Sequence, residues 1–118
     1  MFHMLSCFDL ANEVSIGEFQ ESNIAFLEHM RELGLIESAS PIGRRNKHPV
    51  MDTDKERDHE YFYTISFKDK NQCDQAVEYI QAQSELSISI HGSVSSKTQN
   101  QVFICWEDIC LNRNTRVK

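Results

Sequence analysis

Eight side chains in this sequence have chemistry suited to holding or activating a small molecule: His3, Arg44, Arg45, Tyr61, Tyr63, His91, Trp106 and Glu107. His3 sits between Phe2 and Met4. A neutral imidazole in such company can act as a general base, and it can equally be a satisfied histidine of a core or an interface. His91 precedes Gly92 and reads either as a ligand or base or as a turn residue. Arg44 and Arg45 point to opposite faces if their strand continues. One guanidinium could then clamp a carboxylate or phosphate, unless the pair is a solvated strand end that balances the acidic stretch after it. Tyr61, Tyr63 and Trp106 offer apolar surface with a polar tip, and Glu107 can simply pair with an Arg or Lys.

The motifs that would name a reaction are missing. The sequence has no Gly-x-Ser-x-Gly elbow, no glycine-rich phosphate loop and no zinc spacing, so no cofactor or metal is expected. Asp52, Asp54, Glu56 and Asp58 alternate like a calcium loop, but they lack its glycine turn and its terminal Glu. The cysteines, Cys7, Cys73, Cys105 and Cys110, form no Cys-x-x-Cys pair, and Cys7, Cys73 and Cys105, inside strand or helix patterns, read as small apolar residues.

The elements that must position these groups centre on His59–Phe67, the strongest strand signal in the chain. Tyr61, Tyr63, Ile65 and Phe67 share one face, and Phe62, Thr64 and Ser66 the other. Phe2–Asp9 is a second strand, apolar on both sides and hence central. Ser15-Ile16-Gly17-Glu18 is a capping box, with Val14 and Phe19 at the staple positions. The helix it opens carries an apolar stripe from Ile16 to Leu33 and stops at Gly34. His29 lies off that stripe and reads as solvated. Ile36–Asn46 is a weaker strand, confined to a sheet edge or a bulge by Pro41. The stretch 49–58 is dense in mixed charge and is expected to be a mobile loop, dispensable for folding. A helix over 70–83 follows, capped by Asp69, with Cys73, Ala76, Val77 and Ile80 facing inward. In 84–99, Leu86, Ile88 and Ile90 alternate with serines, and a turn or short helix follows from His91. The last strand is Gln101–Glu107, and 111–118 is a polar tail.

The order strand, helix, strand, strand, helix, strand is that of an α+β, ferredoxin-like βαββαβ domain. Such a domain is an antiparallel four-stranded sheet with two helices on one face. At 118 residues it is a single domain. The chain resembles the dimeric α+β barrel superfamily and, within it, a small family of uncharacterised bacterial domains. The residues that carry the resemblance are Phe2-His3, Gly34-Leu35-Ile36-Glu37, Arg44-Arg45-Asn46-Lys47, His91-x-x-Val94 and Phe103-x-x-Trp106-Glu107-Asp108. The resemblance implies dimerisation sheet to sheet and a small ligand in a cleft between sheet and helices. Its relatives range from cofactor-free monooxygenases to proteins without known activity.

With 18 Asp+Glu against 12 Lys+Arg, the net charge of −6 argues against nucleic acid or an anionic membrane as partner. No apolar run has membrane-span length and no signal peptide is visible, so the cytoplasm is the expected compartment. Face counting points to a homodimer. Two helices cover one side of the sheet, yet the first and last strands carry apolar residues on both sides. The expected function is therefore binding of a small organic ligand in that cleft, with His3, Arg44, Tyr61, Tyr63, His91 and Trp106 as candidate contacts. The alternative is a dimeric interaction or regulatory module without catalytic activity.

Overall fold

The computed structural model describes residues 1–82 and 91–109. The elements run β1 (Phe2–Leu10), α1 (Ile16–Glu32), β2 (Ser38–Ala39), β3 (Gly43–Arg44), β4 (Tyr61–Phe67), α2 (Lys70–Gln81) and β5 (Thr98–Glu107), and residues 91–95 add a short helical segment. The expected extended piece over 86–90 and the tail after Cys110 lie outside the described residues.

The sheet is antiparallel in the order β2–β4–β1–β5, with β3 also on β4. The four expected strands thus become five, because the edge strand is split. From Ala39 opposite Ile65 to Gly43 opposite Phe62, the edge spends one residue more than β4. That extra residue is a bulge around Pro41, which has no amide to donate. Ser40 covers the gap: its amide donates to the Thr64 carbonyl (2.8 Å), and its hydroxyl accepts from the Thr64 amide (2.8 Å).

Local chemistry fixes both helices. The Ser15 hydroxyl accepts from the Glu18 amide at 3.1 Å and donates to the Glu18 carboxylate at 3.3 Å, so the box closes on the hydroxyl. A cap of this kind contributes about 1 kcal/mol. At the other end Gly34 takes a left-handed φ of 72°. The Leu35 amide reaches the Met30 carbonyl and the Gly34 amide reaches that of Arg31, both at 2.9 Å. These are the two bonds of a Schellman motif, and a side chain at Gly34 would strain the φ they require. Asp69 caps α2 by accepting from the Gln72 amide at 2.8 Å, and Gln72 Nε2 donates to the Gly34 carbonyl, tying the helix ends together. On α2 only Ala76 is fully buried, and Val77, expected inside, is exposed.

The helices cover the face that carries Met4, Ser6 and Phe8 of β1 and the odd residues of β4. Phe8 stacks on Phe19 of α1 with ring centroids 4.7 Å apart and on Tyr61 at 5.7 Å. Tyr61, Tyr63, Ile65 and Phe67 are all buried, while the residues between them are only partly so. Truncating a ring as enclosed as Phe8 costs about 3–5 kcal/mol.

The opposite face is not left bare. Arg45 follows β3, and its guanidinium lies over this face with a side-chain exposure of 9%. It binds both oxygens of Asp52 at 2.8 Å and the Asp54 carbonyl at 2.8 Å, and it also donates to the Arg57 carbonyl. The stretch read from its charge density as an exposed, mobile connection is exposed over most of its length, but Asp52 and the Asp54 and Arg57 carbonyls close on this one cation. Loop and sheet enclose a hollow floored by Leu5, Cys7, Phe62 and Ile104 and walled by Arg45, Asp52, Asp54 and Arg57. Cys7, which belongs to the open face, is only 1% exposed as a result.

Arg45→Met is expected to release the loop and uncover Cys7. In the parent chain Cys7 should react with a thiol reagent far more slowly than exposed Cys105, since burial both blocks its thiol and pushes its pKa up. In the variant its labelling rate should rise towards that of Cys105. An unchanged rate would show that Arg45 does not hold the loop down.

Candidate ligand cavity

A cavity of about 490 Å³ lies between the sheet and the helices. Its floor is Met4, Ser6 and Phe8 of β1 with Tyr63, Ile65 and Phe67 of β4. Phe26 and Met30 of α1, Cys73 and Ala76 of α2, and Val94 complete an apolar wall. The size and the mostly apolar lining with few polar groups are those of a small-molecule site.

Two polar groups stand out. Tyr63 is so enclosed that burial pushes its phenol up to about 12, so at neutral pH it is a hydrogen-bond donor. Among the described residues it has no hydrogen-bond partner. His91 lies on the helical segment 91–95 with its ring 5.8 Å from that of Phe26. Burial lowers its pKa, so it is neutral at pH 7 and offers a lone pair. The segment is held by a bond of 3.1 Å from the Ser93 hydroxyl to that of Ser22 on α1, and by buried Val94. Gln81, Ser95, Thr98 and Gln101 supply further polar atoms around the cavity, and Val77 and Phe103 are exposed among its lining residues.

The structure divides the residues singled out from the sequence. Tyr63 and His91 line the cavity. Tyr61 is on the same face but is buried against Phe8 and is not part of the lining. Arg44 is exposed, 3.7 Å from Glu60 and with its guanidinium over the Tyr61 ring at 5.7 Å, so it is no clamp for a cavity ligand. Arg45 is spent on the loop. His3 and Trp106 belong to the other face of the sheet, side by side with ring centroids 5.2 Å apart. His3 Nδ1 accepts from the Ser66 hydroxyl at 2.8 Å, and its Nε2–H donates to the Asp108 carboxylate at 2.9 Å. The same bond holds Asp108 below the usual carboxylate range. His3 and His91 therefore do not converge on one cleft.

Two other histidines are anchored. His29, read as solvated, is 2.6 Å from the Tyr79 hydroxyl and clasps α1 to α2. His59 is buried, and its Nε2 donates to the Asn100 carbonyl at 2.6 Å. No motif marks Ser6, Phe26 or Ala76 as cavity residues; only the parity of β1 and the stripe spacing of the helices hint at them. Among the described residues no group of three His, Cys, Asp or Glu side chains is placed to hold a metal ion, and no helix is long and apolar enough to cross a membrane.

The His91 environment has a pH signature. Its folded-state pKa lies below its ordinary value of 6.5, so the unfolded chain binds the proton more readily. Its contribution to stability is present above that value and is lost as pH falls through the folded pKa. Chemical denaturation at a series of pH values should show stability falling on acidification, and His91→Gln should flatten that fall. Identical pH profiles for the two proteins would contradict a half-buried, neutral imidazole.

No family model matches the chain, and no curated protein matches it in sequence. Solved structures are similar in fold. A protein from Arabidopsis thaliana is 9% identical over 95% of this chain and 99% of its own, with a TM-score of 0.68. A dimeric ferredoxin-like protein of unknown function from Jannaschia sp. is 18% identical over 91% of this chain and 98% of its own, with a TM-score of 0.61. A cofactor-independent oxygenase from Streptomyces nogalater is 6% identical over 95% and 96%, with a TM-score of 0.58. At such identities the likeness is one of architecture, and it agrees with the fold class read from the sequence: the chain has a ferredoxin-like α+β fold.

Proposed function

We propose that this protein binds a small, largely apolar organic molecule with one polar group in the cavity between sheet and helices, and does so as a homodimer. The cavity itself carries the reading. It is large enough for a one- or two-ring ligand, and it places a phenol donor and a neutral imidazole acceptor in a wall that is mostly apolar. Such a pair can orient a carbonyl or hydroxyl group, since buried polar groups bind most strongly what satisfies them. Homodimerisation is supported by the open face, where Ile104 and Trp106 are exposed beside Leu5 and Phe62. It is supported too by the dimeric description of the Jannaschia protein, which shares the fold. The same face favours a second reading, a self-association module without chemistry, in which the cavity holds nothing.

Binding of an anilinonaphthalene dye separates the two. The parent chain should enhance its fluorescence, and Ala76→Phe, which fills the cavity, should abolish that while the far-UV circular dichroism is kept. His91→Ala should weaken binding, and His3→Ala, on the far face, should leave it unchanged. Equal dye binding by the parent and Ala76→Phe would place the dye elsewhere and favour the module without a ligand.

A further inference from the structure

The cavity has a mouth between α2 and β5, and a thiol stands on each side of it. Val77 of α2 and Phe103 of β5 both line the cavity, yet they are 43% and 56% exposed, so the helix does not close over the strand there. Residues 70, 73 and 77 share one side of α2, and residues 103, 105 and 107 share the helical face of β5. The two rows run past each other in opposite directions and match pair by pair. At one end Lys70, held charged chiefly by Asp74, also feels Glu107. At the other end are Val77 and Phe103. Between them come Cys73, which lines the cavity, and Cys105, which lies directly opposite the cavity residue Met4 in the sheet. Burial pushes the Cys73 thiol up, and the neighbouring Cys105 adds to the effect.

The two thiols divide the work that an oxidant-sensing pair requires, an accessible one to react and a shielded one to resolve. Cys105 is exposed, and Cys73 is half-buried. Because Cys105 is on the helical face, a second copy on the open face leaves it accessible. The raised pKa of Cys73 keeps it a neutral thiol, slow to meet an oxidant itself. Cys7 does not compete, since it is enclosed on the other face. The helix is also free to respond, with Ala76 its one fully buried residue. A disulfide sets its two Cα atoms about 5.5 Å apart, and so draws α2 down onto β5.

We infer that Cys73 and Cys105 form a modification site for hydroperoxides, where oxidation links the two by a disulfide that closes the cavity mouth. The Cys105 thiolate attacks the terminal oxygen of the peroxide. The O–O bond breaks, and the departing alkoxide or hydroxide takes a proton and leaves as alcohol or water. Cys105 is then a sulfenic acid. The Cys73 thiolate attacks its sulfur, the S–S bond forms as the S–O bond breaks, and the hydroxide released takes up the proton that Cys73 gave up. Two thiols and one hydroperoxide thus become one disulfide, one alcohol or water and one further water, and two electrons pass to the peroxide. A thiol reductant returns them to the pair. Exclusion of a ligand rests on the cavity site proposed above; formation of the link does not.

Hydrogen peroxide is the probe. The reduced full chain is treated with it, the remaining thiols are blocked with N-ethylmaleimide, and the peptides are mapped by mass. A Cys73–Cys105 link within one chain is expected. Binding of a neutral anilinonaphthalene dye should fall at least about tenfold as the link forms, and dithiothreitol should restore it. Cys105→Ser should bind the dye equally before and after peroxide. Cys73→Ser should stop at the Cys105 sulfenic acid, which dimedone captures. Cys105 oxidised to a sulfinic acid without a link, joined to Cys110, or joined to Cys105 of a second copy would overturn the inference. So would a Cys73–Cys105 link that leaves dye binding unchanged. A reduced chain that forms the link but binds no dye would overturn the ligand reading and leave the modification site standing.

Discussion

Everything in this molecule depends on the pairing of β1 with β4, from Phe2 opposite Phe67 to Phe8 opposite Tyr61. These are the two inner strands, and every second residue along them points to the same side. One side is fully committed: Phe8, Tyr61, Tyr63, Ile65 and Phe67 are buried under the helices. The other side is apolar too, with Leu5, Cys7 and Phe62, and the described residues cover only part of it. A one-residue slip between these strands would exchange the two sets of side chains and with them the cavity floor and the open face.

The two faces are finished by different physics. On the helical side, capping and packing leave a void, because α2 contributes little to the core besides Ala76. Native interiors rarely hold a cavity of that size among their side chains, and this is the ground for proposing a ligand there. On the open side the finish is electrostatic. Arg45 gathers Asp52 and two loop carbonyls, and the same bonds hold the Asp52 carboxyl below its usual range. A cation as enclosed as this one holds the loop only because it is nearly saturated with acceptors.

Much of this was legible in the sequence. The alternation of His59–Phe67, the Ser15 and Asp69 caps, the Gly34 stop and the edge position forced by Pro41 are local signals, and each produced the element it promised. The long-range facts were not legible. Because β1 is apolar on both sides, its pattern does not say which face the helices take, and so it could not say that His3 and His91 fall on opposite faces. The loop has several cations and several carboxylates within a dozen residues, and sequence does not tell which cation turns inward. His29 and Tyr79 are 50 residues apart, and only the crossing of two helices brings them together. The cavity is the extreme case, since it consists of what the side chains fail to fill.

The central claim is that the two faces of one sheet do separate work, one holding a ligand and the other a second copy of the chain. Methyl nuclear magnetic resonance under dilution tests it directly. Leu5 and Ile104 report the open face, and Met4, Ile36 and Ile65 report the cavity. Dilution should shift the Leu5 and Ile104 methyl signals and leave Met4, Ile36 and Ile65 in place. Signals that do not depend on concentration, or shifts centred on the cavity methyls, would contradict the division of labour.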